Sequence, residues 1–223
     1  MEQYLYRILF FSSGLILAAA AGIIRYRYAG RRYQPFIIYL CAGVLSEVVS
    51  FFSAWILRTN AVSNNFFMLA EVLLLNWQFK RWNSYGTGLK WYNRAAVFFC
   101  SLFLIQAAWK GIDQELFYFN VLYCCYLVTC GLERMSQSVV FSHSAWYKNS
   151  DVIICCGMVI YFSCRVIIET FWLYGLFKSP LFRNEVHGLM VWIDLFVNFM
   201  YVYAILWIQK KPGYITFYGQ RWF

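Results

Sequence analysis

Charged side chains inside apolar segments are the residues of this sequence that could do chemistry. Arg165 and Glu169 stand four residues apart within the apolar run 152–176, so on a helix they share one face and can pair. A charge near the centre of a bilayer costs at least about 2.5 kcal/mol, and such residues usually face the interior of a helical bundle and mark function. The sequence therefore predicts polar groups at the same depth in other helices.

Three more acids and two other polar residues fall in this layer when depth is counted along the predicted helices. Four acids and one arginine leave an excess of negative charge, so either some carboxyls hold protons or a cation binds among them. A purely structural reading stays open, in which Arg165 neutralises Glu169 or Asp194 while Glu47 and Glu71 are protonated. The predicted ligand-binding or proton-relay residues are Glu47, Glu71, Tyr161, Arg165, Glu169, Asp194 and Asn198. Gln106 and Asn120 could join them.

The elements that position these residues are predicted from composition and apolar runs. The 223 residues are 62% hydrophobic and 13% charged, which is far more apolar than a soluble domain. Seven runs approach the roughly 20 residues that cross a bilayer: 8–24, 35–57, 65–79, 94–109, 116–132, 152–173 and 187–208. The prediction is an all-α integral membrane bundle of seven transmembrane helices over residues 1–211, followed by a short cytoplasmic aromatic and basic tail, 212–223.

Lysines and arginines predict how the chain lies in the inner (plasma) membrane as a multi-pass protein. One set of alternate connectors and the tail carries thirteen: Arg25, Arg27, Arg31, Arg32, Lys80, Arg81, Lys90, Arg94, Arg134, Lys148, Lys210, Lys211 and Arg221. The opposite side carries five: Arg7, Arg58, Lys110, Lys178 and Arg183. Because the basic side faces the cytoplasm, the N-terminus is expected outside and the C-terminus inside. The net charge of +9 is explained by this topology, and no nucleic-acid partner is expected.

Several activities lack the residues that they require. A retinal pigment needs a lysine in the seventh helix, and 187–208 contains none. Only His143 and His187 are available as histidine ligands, and all eight cysteines fall in apolar spans, so no metal site, disulfide framework or cofactor is expected. No glycine-rich phosphate loop is present. The chain is not expected to be an enzyme, and an intramembrane hydrolase using His187 is the exception left open.

Four predicted spans carry short motifs: Ser46-Glu47, Asn64-Asn65 followed by Ala70-Glu71, Ile160-Tyr161-Phe162-Ser163, and Trp192-Ile193 with Asn198. Together they resemble a family of small uncharacterised seven-transmembrane-helix proteins of Bacteroidota. Members are often encoded beside sensor histidine kinases, so the resemblance implies a sensory role with such a kinase as partner. Asp194 stands where the family would have asparagine, and Arg165 where it would have a small or apolar residue.

These observations predict a receptor-like membrane sensor. Its outward-facing acidic pocket would take a small cationic or polar ligand, Arg165 and Glu169 would change partners, and the cytoplasmic loops would signal through a partner protein. Two alternatives remain open. The same carboxyls could serve a small proton-coupled transporter, or the polar layer could join the chain to a larger membrane complex as a structural subunit.

Overall fold

A computed structural model describes residues 2–83, 89–141, 146–174 and 179–208 of the chain, and all regular structure in these ranges is helical. The helices are α1 (Glu2–Leu57), α2 (Ala61–Trp82), α3 (Leu89–Lys110), α4 (Phe117–Phe141), α5 (Ser150–Leu173) and α6 (Pro180–Trp207), with one 3-10 turn at Trp146–Lys148. The prediction of an all-α bundle is confirmed. The predicted tail, 212–223, lies outside the described residues.

Most helices extend beyond the predicted apolar spans. Helix α4 continues past the predicted end at residue 132 to Phe141, and α6 begins at Pro180 instead of residue 187. Polar residues such as Glu133 and Gln137 follow the apolar part of α4 without breaking the helix. A helix ends where its backbone hydrogen bonds end, and the hydropathy of its side chains does not fix that point.

Helix α1 consists of two segments that fold back on each other at Gly30. The φ of 63° and ψ of 179° at Gly30 belong to a region that only glycine enters at low cost, so the helix reverses there. We name the segments α1a (residues 2–29) and α1b (residues 31–57). Gly22 in α1a packs against Ile37, and Gly43 in α1b packs against Leu15, so closely that a β-carbon on either glycine would lie within about 3.2 Å of the facing side chain. The first two predicted spans are thus an antiparallel hairpin.

A buried glutamine from α2 replaces a backbone hydrogen bond near the start of α1b. The Gln78 side chain accepts from the Phe36 N–H at 2.9 Å and donates to the Arg32 carbonyl at 2.7 Å. Phe36 and Arg32 are the two residues that an unbroken helix would join directly, since they are four apart. Pro35 stands between them and has no N–H of its own. Gln78 therefore supports α1b where its backbone ladder is interrupted.

The helices pack in a closed order: α1 contacts α2 and α6, α2 contacts α3 and α4, and α4 contacts α5, which contacts α6. A hydrophobic core that includes Phe36, Leu75, Phe119 and Met158 fills the bundle, several polar side chains are buried beside it, and many large apolar residues also face outward. The buried polar residues include Asn65, Glu71, Asn76, Gln78, Gln106 and Asn120. Outward-facing residues include Val97, Leu104 and Ile105 of α3. Lipid on the outside accounts for this arrangement.

In the part of the chain that the structure describes, three helical stretches are long and apolar enough to cross a membrane: Ser13–Ile56, Ser150–Trp172 and Gly188–Trp207. The first contains both segments of the α1 hairpin. These stretches fit a membrane protein, as the composition predicted. The central helix α2 is less apolar because four of its buried residues are Asn65, Glu71, Asn76 and Gln78.

Candidate functional site

Glu71 lies at the centre of the bundle and joins four helices. Its side chain is 1% exposed. Tyr39 of α1b donates to Oε1 at 3.2 Å, Tyr123 of α4 donates to Oε2 at 2.8 Å, and Nη1 of Arg165 in α5 donates to Oε2 at 3.1 Å. A buried carboxylate needs both a counter-charge and hydrogen-bond donors, and here it has them. Glu71 is therefore held as an ion pair with two supporting tyrosines.

Arg165 pairs with Glu71 across two helices. The two groups form a 3.1 Å ion pair, and the guanidinium carbon lies 5.6 Å from the centre of the Tyr123 ring. From the sequence, Glu169, one turn away on the same helix, and Asp194 were the two expected partners of Arg165. Glu169 interacts with Arg165 at longer range and with Asn120 of α4. The contact that the structure gives Arg165 is thus between helices.

A cavity of about 150 Å³ lies beside Glu71 between α1, α2, α5 and α6. Its polar lining residues are Tyr39, Ser46, Glu47, Glu71, Tyr161, Asp194, Asn198 and Tyr201, and its apolar ones are Leu15, Gly43, Phe67 and Val197. Five of the seven predicted site residues are in this lining. Arg165 and Glu169 are not among these lining residues, and Arg165 is linked to the cavity through its ion pair with Glu71.

The three acids of the cavity have different surroundings. Glu71 is buried and paired, Glu47 is exposed, and Asp194 is partly buried and accepts a hydrogen bond from Asn198 Nδ2 at 3.1 Å. Asp194 experiences the charges of Glu47 and Glu71 as well as that of Arg165. Counted over the described side chains, the three carboxyls and Arg165 together would carry a charge of −2 if all were ionised. Such an excess in a low dielectric requires protons or a bound cation.

Two residues that sequence reasoning missed, Tyr39 and Tyr201, bring hydroxyl groups to the cavity. Tyr39 stands eight residues before Glu47, and Tyr201 seven after Asp194, so each shares a helix face with a predicted acid. That spacing is the signal that could have found them. Among the hydrogen bonds of the described residues, none involves the hydroxyl of Tyr161 or Tyr201. Both hydroxyls line the cavity and can serve a ligand there.

Gln106 and Asn120, which the sequence placed at the same depth, serve other contacts. Gln106 Oε1 accepts from the Phe119 N–H at 2.8 Å, near the start of α4. Asn120 Oδ1 accepts from the Cys124 thiol at 3.6 Å, and Asn120 also contacts Glu169. Within the described ranges, no group of three or more His, Cys, Asp and Glu side chains is arranged to hold a metal ion.

A second polar cluster, also missed from the sequence, lies at the end of the bundle that contains the Gly30 turn. Asp151 at the start of α5 is 3% exposed and pairs with Arg32 of α1b and with Arg134 of α4, whose Nη2 is 2.6 Å from Oδ2. Tyr33 donates to Oδ1 at 2.6 Å. Trp82 of α2 packs against Arg134 and Tyr33. The cluster joins four helices about 21 Å along α5 from Arg165, at ~1.5 Å per residue.

Comparisons of the chain with protein-family models, curated protein sequences and solved structures find no significant match.

Proposed function

We propose that the chain is a receptor-like membrane sensor whose cavity binds a small cationic ligand. The observation that supports this most is the lining of the cavity, where Glu47, Glu71 and Asp194 from three helices meet around one space. Among the ion pairs of the described side chains, the one that involves these acids joins Arg165 to Glu71. A monovalent cation between Glu47 and Asp194 would reduce the remaining negative charge. The hydroxyl oxygens of Tyr161 and Tyr201 would be further partners of this cation.

The size of the cavity limits the ligand. A cavity of about 150 Å³ is comparable with the engineered protein cavity that holds benzene, and smaller than the ~300–1,000 Å³ of sites for drug-sized molecules. An amine of a few carbon atoms fits such a space. Aromatic walls favour a cation further, because the ring faces carry negative charge.

Binding could reach the opposite end of the bundle through α5. Arg165 of this helix pairs with the cavity residue Glu71, and Asp151 of the same helix joins α1b and α4 at the other end. A cation that interacts with Glu71 would compete with Arg165 and shift the position of α5, if it binds one arrangement more tightly than the other. A partner protein would then detect the change, and the resemblance noted above points to a sensor histidine kinase.

The ligand is tested by thermal unfolding of the purified protein in detergent with ethylammonium, choline and a neutral alcohol of similar size. Ethylammonium or choline at 100 times its Kd is expected to stabilise the protein by about 2.7 kcal/mol, and the alcohol is expected to have no effect. Asp194→Asn should abolish most of this stabilisation. Asp113→Asn, a change of the same kind in the exposed α3–α4 connection, is the control. Equal stabilisation of both variants would contradict the proposal.

The second part of the proposal is that seven spans cross the inner membrane with the N-terminus outside. Arg25 Nη1 bonds the Leu206 carbonyl at 2.5 Å, so the α1 turn and the end of α6 lie together. The Arg32 and Arg134 contacts to Asp151 bring the α4–α5 connection to the same end. The basic connectors are thereby grouped as the positive-inside rule requires for a cytoplasmic face.

Reporter fusions test this orientation. Alkaline phosphatase fused after Asp113 is expected to be active, because that connection would be outside, and a fluorescent protein fused after residue 223 is expected to be fluorescent in the cytoplasm. The reverse pair of results would contradict the orientation. Activity of phosphatase fused at each of the two positions would contradict the three spans expected after Asp113.

A proton-coupled transporter is the second candidate, and one observation favours it. Exposed Glu47, partly buried Asp194 and buried Glu71 line one cavity together with Tyr161, and carboxyls inside a membrane are the kind of groups that relay protons. Flux into proteoliposomes separates the candidates. Accumulation of ethylammonium driven by a pH gradient, and its loss in Asp194→Asn, would replace the sensor by a carrier.

A further inference from the structure

The arginines around the Gly30 turn divide into two pairs with different surroundings. Arg25 donates to carbonyls at the end of α6, and Arg32 pairs with Asp151. Arg27 and Arg31 are both exposed, and in the ranges that the structure describes neither has an ion pair or hydrogen bond to the protein. Two of the four charges therefore stabilise the fold, and two are available to something outside it.

An apolar groove begins at Arg27 and runs along the outside of the α1 hairpin. It has a volume of about 330 Å³ and is lined by Ile23, Tyr26, Arg27, Ile37, Ile38 and Cys41. Ile23 and Ile38 are exposed in it. Counted from the Gly30 turn, Arg27 and Cys41 differ in depth by about 12 Å at ~1.5 Å per residue. The groove thus has one charged end near the turn and an apolar remainder that extends toward the middle of the bundle.

Both features lie on a stretch, Ser13–Ile56, that is apolar and long enough to cross a membrane. In that setting the apolar part of the groove meets acyl chains, and the arginines near the turn lie at the level of lipid headgroups. Basic groups at this level attract anionic lipids, each contributing a modest share of the binding free energy. Among the described residues that line the groove, none is acidic, so these side chains do not repel a phosphate.

We propose that this groove binds one anionic phospholipid, with the phosphate between Arg27 and Arg31 and an acyl chain along Ile23, Ile38 and Cys41. Tyr26 also lines the groove, next to Arg27 in the chain, and its hydroxyl can donate to a headgroup. The bound lipid would brace α1a against α1b where Gly30 interrupts the helix. This site is independent of the cavity around Glu71, which has the opposite charge.

The test counts lipids bound to the detergent-purified protein by native mass spectrometry during titration with phosphatidylglycerol or phosphatidylcholine. The unmodified protein is expected to bind one phosphatidylglycerol well ahead of any phosphatidylcholine. Arg27→Gln/Arg31→Gln should weaken that first binding about 30-fold, the effect of two interfacial arginines. The control is Lys90→Gln/Arg94→Gln, which removes two exposed charges from the start of α3 and should leave the binding unchanged.

A second variant tests the lipid site if the double arginine variant does not fold. Ile38→Trp fills the groove without changing charge, and it should also weaken the first phosphatidylglycerol. Equal binding of the two lipids to the unmodified protein would overturn the proposal, as would an equal loss in the Lys90/Arg94 control. Competition by glycerol phosphate at the same concentration as the lipid would show a site for free phosphate compounds, and would also overturn it.

Discussion

Glu71→Gln is expected to lower the free energy of unfolding by about 3–5 kcal/mol, because it leaves a buried arginine without its counter-charge. Arg165 has a side chain that is 14% exposed, and its ion pair is with Glu71. Arginine cannot release its proton to escape the penalty. The glutamine would also present an NH₂ group where Glu71 Oε2 or Oε1 now accepts from Tyr123 and Tyr39.

The reverse change, Arg165→Met, should cost less than Glu71→Gln. Glu71 would keep both tyrosine donors. A carboxyl without a counter-charge can become neutral by taking up a proton, whereas an arginine cannot become neutral by releasing one. The double variant Glu71→Gln/Arg165→Met should regain most of the stability lost in Glu71→Gln, since no buried charge remains and the glutamine carbonyl can still accept from a tyrosine. A larger loss of stability in Glu71→Gln than in Arg165→Met, together with recovery in the double variant, distinguishes an ion pair from simple packing.

Unfolding in mixed micelles by titration with dodecyl sulfate, followed by circular dichroism, measures the four proteins of this cycle. Glu115→Gln, at an exposed position before α4, is the control and should change stability by less than ~0.5 kcal/mol. If Glu71→Gln and Arg165→Met were additive in the double variant, the two residues would not act as a pair. The central position given to Glu71 would then be wrong.

The helices of this fold could be predicted from the sequence because lipid-facing and buried apolar residues make long runs. Where helices end could not, and α4 is the clearest case: its last nine residues follow the predicted end at residue 132 and include Glu133, Arg134 and Gln137. The fold-back at Gly30 was predicted as a connector between two spans. What remained hidden was that α1b needs Gln78 from another helix, because only coordinates show which backbone groups lack partners.

The sequence predicted how deep the residues of the candidate site lie along their helices, but not how each helix is rotated about its own axis. Counting residues from helix ends placed Glu47, Glu71 and Asp194 at similar levels, and the structure brings all three to one cavity. Whether Arg165 reaches Glu169 or Glu71 depends on how α5 is rotated against α2, and an apolar sequence holds little information about that angle. Asp151 was overlooked because its partners Arg32 and Arg134 are distant from it in sequence. In addition, the positive charges of both arginines were already explained by the predicted membrane topology.

Asp151→Asn is expected to produce the second large effect, a loss of about 3–5 kcal/mol in the free energy of unfolding. Asp151 is the shared acceptor of two arginines and a tyrosine, so its removal leaves two positive charges facing each other at the end of the bundle that contains the Gly30 turn. The stability lost on replacing either arginine should be larger for the arginine that is more deeply buried. Arg134 has a side chain 16% exposed and Arg32 one 51% exposed, so Arg134→Met should cost more than Arg32→Gln.

Salt provides an independent check of that order. At 1 M ionic strength the Debye length falls to about 3 Å, so the contribution of the half-exposed Arg32 should largely vanish while that of Arg134 persists. An unfolding titration with urea, which unlike dodecyl sulfate carries no charge, measures both contributions at 0.1 M and 1 M salt. If Arg32→Gln cost as much as Asp151→Asn at either salt concentration, Asp151 would not be a shared acceptor. The contact between α4 and α5 would then depend on apolar packing alone, and a signal carried along α5 would keep an ionic link to α1b but have none to α4.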